Sequence, residues 1–320
     1  MSGEFDLIRR FFNHPTSHTE LGVGDDAALL RPRPGMQLAV STDMLVEGRH
    51  FFAGSDPFLL GWKAAAVNVS DMAAMGAEPR WITLSLALPV ADEAWIEALA
   101  RGFRDCCDAY SVDWVGGDTT RGPLNLCPTV FGEVPAGVAL RRDGARHGDD
   151  IWISGWPGMA ALGVAHLRDG LELVAGWAES CVERLHRPMP RVALGIKLRG
   201  LATAMLDVSD GVLGDLSHIL ERSQVGAVIE ETRLPLEALL AACKRTETAT
   251  AALLGGGDDY ELLFTTPREQ RGQVEALSRH LELPLHRIGR ILDKSGLWLQ
   301  RGDGVAEAVE AIGFDHFSQP

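Results

Sequence analysis

The apolar run Leu38-Ala39-Val40 passes directly into Ser41-Thr42-Asp43, so what reads as a strand ends in two hydroxyls and a carboxylate. That junction constrains the fold most: the strand belongs to a core, and its C-terminal end opens onto a polar site. Ser, Thr and Asp also cap helices and start turns, so the stretch alone leaves both readings open. Four further segments favour a site: Gly22-Val23-Gly24-Asp25-Asp26, Asn68-Val69-Ser70-Asp71, Gly116-Gly117-Asp118-Thr119-Thr120 and Asp207-Val208-Ser209-Asp210-Gly211. Five aspartate-bearing segments, each beside glycine or an apolar run, point to one centre rich in hard oxygen ligands. Such ligands suit several Mg²⁺ ions, which take octahedral oxygen and share their shell with substrate phosphates, those of ATP among them.

Charge supports this chemistry. At −14 the chain disfavours nucleic acid and anionic membranes, whose partners carry Lys/Arg patches. A phosphorylated substrate would then be bridged to the acidic protein by metal, with Arg142 or Arg146 adding a phosphate contact. With 320 residues, two domains of roughly 150 residues each are expected. The charged stretch 141–150 marks the boundary, giving domains 1–140 and 148–320. No apolar run approaches the ~18 residues needed to cross a bilayer, and the first residues lack a basic stretch followed by an apolar one, which reads as a cytoplasmic protein. Cys106, Cys107, Cys127, Cys181 and Cys243 show neither CxxC nor zinc spacing and read as reduced thiols.

The patterning predicts alternating strands and helices. A helical stretch covers 6–13, with Phe5, Ile8, Phe11 and Phe12 apolar. A strand covers 36–42. A helix capped by Asp56, with Pro57 at its first position, runs to about Gly76. Strand 81–88, a helix from Asp92 to about Tyr110, strand 112–115 emptying into the Gly116-Gly117-Asp118 turn, and strand 126–134 complete the first half. The second half reads strand 151–154, helices near 158–170, 173–186 and 190–199, strand 204–207, and a helix capped by Ser209-Asp210. Strand 227–230, helix 235–245, strand 260–265, a helix, two strands and an aromatic tail at 313–317 follow. Asn68-Val69-Ser70-Asp71 and Asp207-Val208-Ser209-Asp210 hint at related halves, although four residues are too few to establish a repeat.

Several residues carry two readings. Asp71, among small apolar neighbours, either faces solvent or meets a compensating charge, and beside the other aspartates a metal is the better partner. His50 fits a base, a substrate contact or a core residue. Gly255-Gly256-Gly257 makes a turn or lets a ligand approach the backbone. No Walker cradle, protein-kinase signature or GxSxG elbow occurs.

Seven segments in order resemble the thiamine-monophosphate kinases, within the aminoimidazole ribonucleotide synthetase-like ATP-binding superfamily. They are the Gly-Val-Gly-Asp-Asp-Ala-Ala and Ser-Thr-Asp-Met-Leu-Val-Glu-Gly-Arg-His-Phe segments, residues 61–77, Gly116-Gly117-Asp118, Arg142-Asp143-Gly144-Ala145-Arg146-His147-Gly148-Asp149, Asp207 to Gly211, and Gly256-Gly257-Asp258-Asp259-Tyr260-Glu261-Leu262-Leu263-Phe264. The resemblance implies an α/β (α+β type) fold of two domains: an N-terminal mixed sheet that dimerises and a C-terminal α/β domain, with the site at their cleft. It implies phosphorylation of thiamine monophosphate to thiamine diphosphate by ATP, on a homodimer. By motif position Asp25, Asp26, Ser41, Thr42, Asp43, Asp71, Asp118, Asp207 and Asp210 would be Mg²⁺ ligands, Asp43, Asp71, Asp118 and Asp207 being those that serve the reaction. Gly117, Asp118, Arg142 or Arg146, and Ser209 would contact ATP. His50, Asp258 and Phe314 would contact the thiamine phosphate, Phe314 by stacking. Asp258 departs from the family's usual Glu and is one methylene shorter.

The chemistry agrees. A phosphate monoester has a second pKa of about 6, so the acceptor is already largely ionised at neutral pH and no general base is required. Positioning and charge neutralisation then carry an in-line transfer of the γ-phosphoryl group. The rivals are a sibling ATP-dependent synthetase, a non-catalytic nucleotide-binding module and a Mg²⁺-dependent phosphohydrolase, and turnover with and without acceptor separates them.

Overall fold

A computed structural model of the chain describes residues 8–311; Phe5, Phe314 and the aromatic tail lie outside them. The chain divides into two compact units, one of residues up to Ala73 together with Ala77–Gly137, the other of Ala74–Gly76 and the chain from Val138 onward.

In the first unit, β1 (Thr19–Leu21) and β2 (Leu29–Leu30) form a small antiparallel pair. Strands β3 (Met36–Thr42) and β4 (Leu45–Val46), helix α1 (Pro57–Ala74), strand β5 (Glu78–Leu88), helix α2 (Glu93–Ala109) and strands β6 (Asp113–Arg121) and β7 (Asn125–Pro135) follow. The sheet runs β3-β7-β5-β6 with β4 also on β7, and only β5 and β6 pair in parallel. Helix α1 starts as its sequence predicts: Asp56 accepts from the Leu59 N–H at 3.1 Å, and Pro57 follows where an N–H is not needed. Asp92 caps α2 through the N–H groups of Ala94 and Trp95, and the stripe Ile96, Leu99, Phe103 is buried. The two helices cross in contact. A Cβ on Gly102 would lie 1.8 Å from the Phe58 carbonyl oxygen, so only glycine allows that approach.

The second unit contains β8 (Asp150–Ser154), α3 (Met159–Asp169), α4 (Trp177–His186), α5 (Val192–Lys197), β9 (Ala204–Val208), α6 (Val212–Ser223), β10 (Gly226–Glu230), α7 (Glu237–Cys243), α8 (Thr246–Gly255), β11 (Glu261–Thr266), α9 (Arg271–His280), β12 (Leu285–Leu292), β13 (Gly296–Gln300) and β14 (Ala306–Ala308). Its sheet has the order β14-β13-β10-β12-β8-β11-β9, with only β10 and β13 parallel. Strand residues such as Ile151, Ile153, Leu206, Val208 and Leu263 share one core with Val212, Leu216 and Ile219 of α6 and with Leu239 and Leu253.

Four sequence expectations are corrected. Gly116 to Thr120 continue strand β6 rather than turning, because β5 pairs with them (Leu84 with Gly117, Ser85 with Asp118). Ser209 and Asp210 do not cap α6: its N-cap is Gly211, with no side-chain cap bond. Helix α8 was hidden by three threonines, which are poor helix formers, and burial of Ala249, Leu253 and Leu254 overrides that preference. The short echo is not structural, since Asn68 to Asp71 lie inside a helix while Asp207 to Asp210 leave a strand. At the N-terminal end, the predicted helical stretch is a π-helical turn over Ile8–Phe12.

Candidate functional site

In the first unit the end of β3 meets the C-terminal half of α1. The Ser41 hydroxyl donates to Asp71 Oδ2 at 2.6 Å, and the Asp43 N–H donates to Asn68 Oδ1 at 3.0 Å. Asn68 is fully buried, and its Nδ2 donates to the Ala64 carbonyl at 3.0 Å. Asn68 and Asp71 are three residues apart and therefore on one helix face. One side chain fixes the backbone at Asp43 and the other meets Ser41. Thr42 Oγ1 donates to the Pro128 carbonyl at 2.7 Å and accepts from Thr129 Oγ1 at 3.2 Å, with Cys127 Sγ 3.5 Å away.

Asp25 and Asp26 are exposed between β1 and β2, and Asp25 Oδ1 accepts the Asp26 N–H at 2.8 Å. Asp118 is exposed on β6, where its carboxylate accepts the Thr119 N–H at 2.9 Å. Beside it, Gly117 has φ +155°, and a Cβ there would lie 1.9 Å from the Leu84 carbonyl oxygen, so only glycine brings the backbone this close to β5. His50 Nδ1 accepts the Val46 N–H at 3.0 Å, which places the proton of a neutral ring on Nε2. The buried Lys63 reaches the His50 carbonyl at 3.4 Å.

Among the described residues, no three His, Cys, Asp or Glu side chains converge closely enough to hold a metal by themselves. The donor set is instead hydroxyl and carboxylate oxygen, as at Ser41, Thr42, Asp43 and Asp71. That set fits Mg²⁺, which keeps waters and takes phosphate oxygens rather than filling an all-protein cage.

In the second unit two loops are bonded to one another. Asp207, the penultimate residue of strand β9, is buried, and the chain then turns through Ser209 and Asp210. The Asp258 N–H donates to the Ser209 carbonyl at 2.9 Å and the Tyr260 N–H to that of Val208 at 2.8 Å. Gly257 lies so close that a Cβ would be 2.2 Å from the Ser209 carbonyl oxygen, which explains a glycine run before β11. Asp258 has a left-handed φ of +68° and its Oδ1 accepts from the Tyr260 hydroxyl at 3.3 Å. Asp259 accepts from the N–H groups of Gly158 (2.6 Å) and Ala160 (3.3 Å), at the start of α3. Burial pushes the Asp259 carboxyl up, against those two donors, and Glu261 and Asp258 add to the rise.

Asp215, in the first turn of α6, accepts from the Ser209 and Asp210 N–H groups, both at 3.0 Å. Its carboxyl is pushed up to about 7, chiefly by burial and in addition by the Asp210 and Asp207 carboxylates, with the two N–H donors opposing the rise. Arg142 and Arg146 are exposed on the loop before β8, which is held by Ser223 Oγ donating to the Arg142 carbonyl (2.8 Å) and the Arg146 N–H donating to Asp149 (2.9 Å).

The family models of AIR synthase related proteins match both units, the N-terminal domain over residues 24–134 and the C-terminal domain over 146–300. The thiamine-monophosphate kinase of Escherichia coli (strain K12) is 44% identical over 323 residues, spanning 99% of each chain. The chain belongs to the thiamine-monophosphate kinase family. Among solved structures, the thiamine-monophosphate kinase from Stenotrophomonas maltophilia K279a is similar at 47% identity and a TM-score of 0.83, covering 91% of this chain and 92% of that one. The structure described as AaThiL complexed with AMPPCP and TMP is similar at 32% identity and a TM-score of 0.79, covering 98% and 97%.

The sequence named candidate oxygen ligands and passed over Asn68, Asp215 and Asp259, which hydrogen-bond the backbone around those segments. Asn68 carried a signal, an amide inside a run of small apolar residues at a helical spacing from Asp71. Asp259 was visible only as the second of two aspartates. Asp215 lies five residues beyond Asp210, in what reads as an ordinary helix start, and nothing local distinguishes it.

Proposed function

We infer that the protein phosphorylates thiamine monophosphate to thiamine diphosphate with ATP, by in-line transfer of the γ-phosphoryl group to the substrate's phosphate oxygen. The observation that carries this is the ligand array at the end of β3, where Ser41 meets Asp71 at 2.6 Å and the Asp43 backbone is pinned by Asn68. Full-length similarity to thiamine-monophosphate kinases, one of them held with an ATP analogue and TMP, supports the substrate pair. Asp25, Asp26, Ser41, Thr42, Asp43, Asp71 and Asp118 of the first unit and Asp207 and Asp210 of the second hold Mg²⁺. The metal, when bound, offsets phosphate charge as the γ-group moves. Gly117, Asp118, Ser209 and one of Arg142 and Arg146 bind ATP.

His50, Asp258 and Phe314 orient the acceptor. The acceptor phosphate is already largely ionised at neutral pH, so these residues need only place it. With Nδ1 occupied by the Val46 N–H, His50 offers Nε2–H as a donor to phosphate rather than as a base. No helix among the described residues is long and apolar enough to cross a membrane. A cytoplasmic homodimer, formed through the sheet of the first unit, completes this reading.

The test is ³¹P NMR of the protein with ATP, Mg²⁺ and thiamine monophosphate, beside a control without the acceptor. Thiamine diphosphate and ADP formed only with the acceptor establish the kinase, whereas ADP and free phosphate in both samples would replace it with a hydrolase. Asp258→Ala is expected to raise the KM for thiamine monophosphate about tenfold with a lesser effect on that for ATP. Steady-state kinetics in both substrates checks this, and an unchanged acceptor KM removes Asp258 from the substrate contacts.

A further inference from the structure

We propose that Asp215 is a positioning residue for the nucleotide loop of the second unit, holding the Ser209–Asp210 turn in the conformation that presents Asp207, Ser209 and Asp210 to Mg²⁺ and ATP. It rests on the assignment of that loop made above. Two consecutive backbone N–H groups, of Ser209 and Asp210, converge on the same oxygen, Asp215 Oδ2, each at 3.0 Å. Asp215 is only 4% exposed. Helix α6 has no side-chain cap at Gly211, so the carboxylate in its own first turn reaches back over the start of the helix.

Consecutive N–H groups pointing one way form a small anion-binding concavity. Here an internal carboxylate fills it, which denies it to a phosphate and fixes the curl of the chain. Removing the acceptor leaves two donors to find other partners, and the loop must uncurl to do so. The opposite side of the same peptide is also held, since the Ser209 carbonyl accepts the Asp258 N–H at 2.9 Å. Ser209 is therefore clamped between Asp215 and the loop that carries Asp258.

The clamp places a side chain that is 4% exposed directly against the turn between Asp207 and Gly211. With Oδ2 taken by two backbone donors, Asp215 acts through the loop and not as the ligand itself.

The experiment compares wild-type protein with D215N, D215A and D215L at 25 °C. It measures binding of Mg²⁺ with a non-hydrolysable ATP analogue by calorimetry, kcat and KM for ATP, and ligand-free melting. Asparagine keeps a carbonyl acceptor and loses the charge; alanine and leucine lose both. D215A and D215L are expected to weaken analogue binding and raise the ATP KM by about tenfold or more, in the range for residues that orient metal ligands, with melting lowered because two N–H groups lose their acceptor. D215N stays within about threefold of wild type. Wild-type affinity in D215A or D215L overturns the proposal. So does D215N failing as badly as D215A, which would make Asp215 a direct ligand, or both D215A and D215L failing to fold, which would make it structural. If D215A alone fails to fold, D215L decides. Wild-type protein that binds the analogue but does not phosphorylate thiamine monophosphate sinks only the acceptor assignment; absence of analogue binding sinks both.

Discussion

Asp71→Ala and Asp43→Ala each lower kcat/KM by about a thousandfold or more while leaving the fold intact. Asp71 accepts the Ser41 hydroxyl at 2.6 Å, so its loss removes a carboxylate and also releases Ser41. Asp43 stands at the end of β3 with its backbone N–H held by Asn68 before any ligand arrives. Electrostatic stabilisation of a moving phosphoryl group by bound metal amounts to several kcal/mol, and about 4 kcal/mol corresponds to about a thousandfold in rate. Neither carboxylate is part of the apolar core, so the variants should melt close to the wild-type temperature, because removing one negative charge from a chain of net charge −14 relieves overall repulsion. Steady-state kinetics with a Mg²⁺ titration, and circular dichroism melts, check both parts. Near-normal turnover in either variant removes that residue from the metal site.

Gly117→Ala should be nearly as damaging, by another route. The added Cβ would lie 1.9 Å from the Leu84 carbonyl oxygen and 2.7 Å from its carbonyl carbon, both backbone atoms of the paired strand. Neither can swing aside as a flexible side chain would, and φ of +155° is a region that residues with a Cβ rarely adopt. Strands β5 and β6 must separate locally, at a cost of about 3 kcal/mol. Asp118 is the next residue on β6 and moves with them. The expected result is a lower melting temperature together with a loss of turnover of about a hundredfold, measured on the same preparation. A variant with wild-type stability and activity would show that the close approach at Gly117 is not required.

The sequence made legible what repeats a local rule. Asp56-Pro57 announced the start of α1, Asp92 the start of α2, and Leu38-Ala39-Val40-Ser41-Thr42-Asp43 a strand that ends in two hydroxyls and a carboxylate. What escaped depended on partners distant in the chain. Gly116-Gly117-Asp118 looks like a turn and becomes strand because β5 lies alongside, about thirty residues earlier in sequence. Ser209-Asp210 looks like a helix cap, yet the hydrogen bonds run the other way, from their N–H groups to Asp215. Candidate ligand residues could be proposed because their type carries the chemistry. Asn68, Asp215 and Asp259 act by geometry, and geometry is set by the fold.

Helix α1 holds Asn68 and Asp71 in its C-terminal half and is buried along most of its length, with α2 lying against it. Side chains rooted there have few alternative rotamers to give up, so the entropy of ordering Asp71 is settled when the chain folds rather than when a nucleotide binds. The first unit thus contributes a preset template. Asp25 and Asp26, by contrast, stand exposed between β1 and β2, with only the Asp26 N–H bond to Asp25 tying the pair together locally.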